Sequence, residues 1–206
     1  MEGSDRFPPD SRLVAHTLAC RRGERLLFRK LSFALRPGEA LHVTGANGTG
    51  KTTLIRTLAG LSRPYAGEIE SAGSVGLVDE RPALDPDLPL GRALGFWARI
   101  DGVDDTAPIH ARLGLDSLLD VPVRFLSTGQ RKRAALAVLV GRGVPVWLLD
   151  EPLSGLDSGA IETVSRLVTE HLEQGGIALI ASHQPLAVPG LRKLALEDFA
   201  PREEPA

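Results

Sequence analysis

The run Gly45-Ala46-Asn47-Gly48-Thr49-Gly50-Lys51-Thr52 has the spacing G-x-x-x-x-G-K-[ST], the pattern of a loop that wraps phosphates. Glycine lets backbone N–H groups converge on phosphate oxygens, and a helix starting where the loop ends adds the partial positive charge of its N-terminus. Lys51 is placed to reach the β- and γ-phosphates and the Thr52 hydroxyl to ligate Mg²⁺; Thr53 is counted with the nucleotide-binding set. A second candidate is Asp150-Glu151, two carboxylates ending the apolar run Val146-Trp147-Leu148-Leu149. Asp150 suits Mg²⁺ held through water, and Glu151 suits a general base that polarises an attacking water. Alone, such a pair reads as solvated acids where a buried strand emerges. Beside a phosphate loop, the catalytic reading outweighs that one.

These groups need a scaffold that carries loops from distant parts of the chain to one edge. Residues 13–19 and 26–35 are apolar, strand-like runs around the turn formers Arg21, Arg22, Gly23 and Glu24, which predicts an antiparallel hairpin. Pro37 and Gly38 then turn the chain into a short apolar strand over 40–44 that runs into the phosphate loop, and 52–61 is amphipathic at helical spacing. A strand is expected over 75–78. Residues 81–123 are rich in Pro, Gly and Asp, with helical pieces at 91–100 and 108–119, the pattern of a small helical lobe set into the core. Helix (128–140), strand (144–149), helix (158–174) and strand (177–182) follow. Such alternation predicts an α/β fold with a mainly parallel sheet, whose strand ends share the edge where ligands bind. Residues 1–12, with Pro8 and Pro9, and residues 200–206 read as tails.

Composition narrows the function. The chain has 206 residues, 43% of them hydrophobic, enough for one well-buried core. A formal net charge of −2 provides no broad basic face, which argues against nucleic acid as a partner. Arg131-Lys132-Arg133 reads as a solvated helix face. Cys20 is the only cysteine, so neither a disulfide framework nor a cysteine zinc site can be built within the chain, and a reducing compartment fits. The most apolar segments, 134–140 and 144–149, are far too short to span a bilayer, and the polar start of the chain has no signal-peptide core. No direct membrane insertion is expected, so any membrane association must come through a partner.

Leu126-Ser127-Thr128-Gly129-Gln130 resembles the LSGGQ signature of the ABC ATPases, with Thr128 in place of the first glycine. Ser127 and Gln130 also have the spacing of a helix capping box, and both readings are compatible because a capped helix start still attracts anions. Ser154-Gly155-Leu156-Asp157 resembles the family's D-loop, and His183 stands where its switch histidine follows the last core strand. Within ABC ATPases the chain is similar to the compact CcmA subunits of cytochrome c maturation systems. That similarity is carried by Leu26-Leu27-Phe28, by Leu31-Ser32-Phe33, by Leu58 to Pro64 with Gly67-Glu68, and by Gly175-Gly176-Ile177 leading to Ser182-His183-Gln184-Pro185-Leu186.

The resemblance implies a P-loop NTPase of the ABC type over 13–199, with an antiparallel β subdomain and a helical lobe over about 81–126. It implies ATP and Mg²⁺ as cofactors, and Glu151 and His183 as catalytic groups. Ser127, Gly129, Gln130 and Asp157 are then counted with the nucleotide-binding set, Ser127 and Gly129 facing the ATP bound by the opposite subunit of a homodimer. It also implies an integral membrane partner of CcmB type, haem handling for c-type cytochromes, and a peripheral position on the cytoplasmic face of the bacterial inner membrane. Two departures stand out. Arg22 replaces the adenine-stacking aromatic, and its guanidinium plane can stack instead. Arg81 most nearly occupies the place of the Q-loop glutamine, and a cation cannot ligate Mg²⁺. The alternatives are a soluble ABC ATPase for assembly or nucleic-acid work, the ATP-binding subunit of a different ABC exporter, and a degenerate binding subunit in which Arg81 blocks Mg²⁺ placement.

Overall fold

A computed structural model describes residues 6–201; the parts of the two expected tails at 1–5 and 202–206 lie outside the described residues. The hairpin forms as expected. Strands β1 (Arg12–Arg22) and β2 (Arg25–Leu35) pair antiparallel with Arg22 opposite Arg25. A third strand, β4 (Ala66–Ala72), lies along the other side of β1 and completes a three-stranded antiparallel sheet. Its sequence, AGEIESA, has no apolar alternation, so pairing with β1 and not a buried face of its own makes it a strand.

The larger sheet is wholly parallel, in the order β5-β6-β7-β3-β8. Its members are β3 (Ala40–Thr44), β5 (Val75–Val78), β6 (Val146–Asp150), β7 (Ile177–Ala181) and the short edge strand β8 (Arg192–Ala195). Every residue of β6 and β7 is buried, as a near-continuous apolar strand covered on both faces must be. Alternate side chains divide between two cores. Val146, Leu148, Ile177 and Leu179 pack with Leu41, Val43 and the antiparallel sheet on one side. Trp147, Leu149, Ala178 and Ile180 pack with the helices on the other.

Helix α1 (Lys51–Leu58) follows β3. The helical lobe consists of α2 (Leu90–Asp101), α3 (Ala107–Arg112) and 3-10 turns at Asp116–Leu118 and Val123–Phe125. The single helix expected over 108–119 is therefore broken, because the chain turns at Gly114 and resumes as a 3-10 turn. Helices α4 (Thr128–Arg142) and α5 (Ser158–Glu173) complete the set, α5 being capped by the Asp157 side chain. The start of the chain is not a free tail from Arg6 onward. Phe7 is buried edge-on against His171, and the Arg6 amide donates to the Gln174 carbonyl. No described helix is long and apolar enough to cross a membrane.

Candidate active site

Parallel pairing aligns the strand ends. Thr44 lies beside Ala195, Val43 beside Ala181, Asp150 beside Ala181 and Val78 beside Leu149. The residues that follow those ends, Gly45, Glu80, Glu151, His183 and Glu197, therefore gather at one edge. The phosphate loop turns there on Gly45, Gly48 and Gly50, whose φ values of 151°, 82° and 113° are open to glycine and strained for other residues. Gly50 caps α1 without a side-chain hydrogen bond, so no side-chain cap takes up the first amides of the helix. The Lys51 ammonium, 7% exposed, donates to Gly45 O at 2.6 Å and Ala46 O at 3.4 Å, within the concavity of the loop. Glu197 braces the loop from below, its Oε1 accepting from the Ala46 amide at 2.6 Å.

Four predicted groups converge at this loop. His183 Nε2 lies 2.8 Å from Asn47 Oδ1, 3.1 Å from Lys51 Nζ and 3.2 Å from Glu151 Oε1. With its proton on Nε2 the ring donates to Asn47; with the proton on Nδ1, Nε2 accepts from Lys51, so either neutral tautomer finds a partner in this seat. The His183 amide donates to Glu151 Oε2 at 3.3 Å, and Lys51 Nζ is 3.9 Å from Oε1. Glu151 occupies the left-handed region at φ 46°, a conformation costing about 1 kcal/mol or more that recurs at functional sites. Its amide donates to Ala181 O at 2.8 Å, which holds the turn against β7.

Asp150 is 1% exposed and neither carboxylate oxygen has a hydrogen-bond partner among the described residues. Burial raises its pKa, opposed by the Thr52 hydroxyl and the Lys132 ammonium beside it and reinforced by Glu151 and Glu80. A buried, partnerless carboxylate next to a hydroxyl at the phosphate loop fits Mg²⁺. No cluster of three or more His, Cys, Asp or Glu among the described residues forms a metal cage. That suits an ion that draws most of its oxygens from phosphates and water.

Arg22, Thr52, Thr53, Gly48 and Lys51 line one cleft of about 150 Å³. A second, of about 360 Å³, is lined by Asn47, Glu80, Thr128, Lys132, Glu151 and His183 among others. After β5 this cleft is lined by Glu80 and Pro82, on either side of the residue expected there. Arg81 instead lines a separate groove of about 350 Å³ with Val75, Leu77, Trp97 and Leu139. Arg81 lines neither of the two clefts beside the phosphate loop.

The 126–130 motif makes its capping box. Ser127 Oγ accepts from the Gln130 amide at 3.2 Å, and Gln130 Oε1 accepts from the Ser127 amide at 2.8 Å. Gly129 is packed so tightly that a Cβ there would lie 2.2 Å from Gly155 O, which locks the motif against the 154–157 loop. Asp157 Oδ1 accepts from the Ala160 amide and caps α5. Ser127, Gly129, Gln130 and Asp157 do not line the cleft that holds Lys51 and Thr52 in the same chain. The Arg131-Lys132-Arg133 run is not a solvated face. Arg131 donates to Leu126 O, Arg133 to Leu113 O and Gly114 O, and Lys132, 4% exposed, to Asp79 O and Asp150 O. Burial lowers the pKa of Lys132, while Asp150, Asp79, Glu80 and Glu151 hold it up.

Residues 28–154 match the family model described as ABC transporter. The chain is 56% identical over 189 residues to the cytochrome c biogenesis ATP-binding export protein CcmA of Novosphingobium aromaticivorans, covering 92% of this chain and 97% of that one. It is 50% identical to the CcmA of Sphingopyxis alaskensis, over 89% of this chain and 96% of its relative. Among solved structures, an ATP-binding protein of a putative ABC transporter from Pyrococcus furiosus superposes with a TM-score of 0.78 at 23% identity, over 93% of this chain and all of that one. A dimeric ATP-binding cassette bound to ADP and Pi superposes at 0.74 and 19% identity, over 84% and 88%. At these identities the structures show the fold.

Proposed function

Since the chain belongs to the ABC transporter family, and within it to the CcmA group of cytochrome c biogenesis ATP-binding proteins, we propose that two copies close on two ATP molecules to drive a CcmB-like membrane subunit. The chain is an ATP-hydrolysing subunit of the CcmAB type, acting in haem handling for c-type cytochromes. The observation that carries the enzymatic reading is the meeting of Lys51, Glu151 and His183 at Asn47.

In this reading the loop amides and Lys51 hold the β- and γ-phosphates, and Lys51 exchanges its two loop carbonyls for phosphate oxygens. Thr52 and Asp150 hold Mg²⁺, which neutralises charge on the phosphates when bound. Glu151 accepts a proton from water as the water oxygen bonds to the γ-phosphorus; the bond to the β,γ-bridging oxygen breaks and ADP departs with that electron pair. His183 holds its proton at Nε2, toward the γ-phosphate, and keeps Glu151 oriented through its amide. Ser127 and Gly129 serve the ATP of the opposite copy, because their own chain places them outside its Lys51 cleft.

The membrane subunit docks on the groove beside edge strand β5. Consecutive residues Glu80 and Arg81 line the nucleotide cleft and that groove respectively, so docking displaces the backbone next to the reacting phosphates. The chain sits peripherally on the cytoplasmic face through this contact. Wild-type chain is expected to hydrolyse ATP, and Lys51→Ala to abolish that hydrolysis; activity unaffected by Lys51→Ala would remove the assignment. Retention of a co-expressed CcmB-like membrane protein during purification tests the partner.

A further inference from the structure

Lys132 is buried, yet it satisfies nothing on its own helix. Its ammonium donates to Asp79 O at 2.9 Å and Asp150 O at 2.8 Å. Those two carbonyls belong to the peptide units that lead into Glu80 and Glu151, at the ends of the adjacent strands β5 and β6. Both carboxylates line the same cleft as Lys132. Burying an ammonium is costly unless its protons are accepted and negative charge is near. Here two carbonyls take two of its three protons, and the carboxylates of Asp79, Glu80, Asp150 and Glu151 surround it. A compact ammonium can fan to two neighbouring strand ends in a way that a planar guanidinium or an amide with two donors matches less well.

One turn earlier on α4, Gly129 is jammed against the Gly155 backbone. The start of α4 is therefore joined to three loops at once, and it cannot shift without carrying the strand ends or breaking the ammonium–carbonyl bonds. Glu151 depends on this most, because its left-handed backbone at φ 46° must be held from outside.

Building on the ATPase reading, we propose that Lys132 is a positioning residue that locks the peptide units carrying Glu80 and Glu151 to the signature-bearing helix, so that these carboxylates and that helix move as one body. Engagement of Ser127 and Gly129 by the opposite copy is then transmitted to the water-activating Glu151 through Lys132.

The test uses the full-length chain and its Lys132→Met and Lys132→Arg variants, each checked for folding by circular dichroism. Amide hydrogen exchange in Lys132→Met is expected to quicken about tenfold in both 79–82 and 150–154 while 45–52 keeps its protection. Turnover is expected to fall about tenfold or more with half-saturating ATP changed less than about threefold, and Lys132→Arg, which keeps charge and donors, to recover part of both losses. A folded Lys132→Met with wild-type protection in either segment overturns the proposal. So does a loss of ATP affinity in step with turnover, which would mark Lys132 as an ordinary core strut. Absence of Lys51-dependent hydrolysis in the wild type would sink the ATPase reading instead, and the exchange result would still decide whether Lys132 locks the two segments.

Discussion

Two helix starts line clefts in this chain, and they are built in opposite ways. Helix α1 begins at Gly50 with no side-chain cap on its first amides. Helix α4 begins at Ser127 with a complete capping box, which uses the Gln130 and Ser127 amides and leaves those of Thr128 and Gly129. The first start is completed within one chain by Lys51, Asp150, Glu151 and His183. The second is pinned to the 154–157 loop at Gly129 and, through its own Lys132, to the strand ends at Asp79 and Asp150. In the proposed two-copy enzyme the first start serves the nucleotide of its own chain, and the second, which lines the cleft of Glu151 and His183 through Thr128, serves that of the opposite copy.

The comparison can be broken most forcefully at the reacting end. Glu151→Gln is expected to lower turnover about 10³-fold while ATP binding persists, since only the proton acceptor is lost; binding by a fluorescent ATP analogue and phosphate release measured on the same sample separate the two. A smaller effect comes from the core around α5. Burial drives His171 down from 6.5 to about 4, with its ring stacked on Trp147 and Nε2 between the Pro145 and Ile177 carbonyls. The folded protein favours the neutral ring, so this contribution is complete above pH 6.5 and is lost as pH falls from 6.5 toward 4, by up to about 3 kcal/mol. Urea unfolding across that range should show the loss in wild type and a shallower slope in His171→Gln.

At the preorganised end the effects are expected to be finer. Gly129→Ala places a Cβ 2.2 Å from Gly155 O, so the two loops must part; turnover should drop about tenfold with ATP binding by the single chain unchanged. Ser127→Ala removes the cap and should cost about 1 kcal/mol in denaturant unfolding. Loss of single-chain ATP binding in either variant would contradict the division between the two ends.

What could be read from the sequence follows the same division. The strand, loop and helix at 40–58 are set by signals within a few residues of one another: an apolar run, glycines, then helical spacing. The strand β6 with its terminal acids is equally local. Strand β4 was illegible because AGEIESA becomes a strand only by pairing with β1, and β8 is short and largely exposed. The role of Lys132 was hidden for a related reason: helical spacing places it between two arginines, and only the fold reveals that its side reaches two strand ends. Glu80 was missed because the residues after β5 that line the cleft, Glu80 and Pro82, flank the position that the family pattern marks. Glu197 reaches Ala46 across 151 positions of sequence, a contact no local pattern announces.

The claim that each chain carries one reacting end and one completing end is tested most directly by sedimentation velocity on Glu151→Gln with and without ATP and Mg²⁺. The account predicts a monomer that becomes a dimer when MgATP is added, with the dimer lost when Gly129→Ala is introduced as well. A Glu151→Gln chain that binds MgATP at full occupancy and still sediments as a monomer would contradict it.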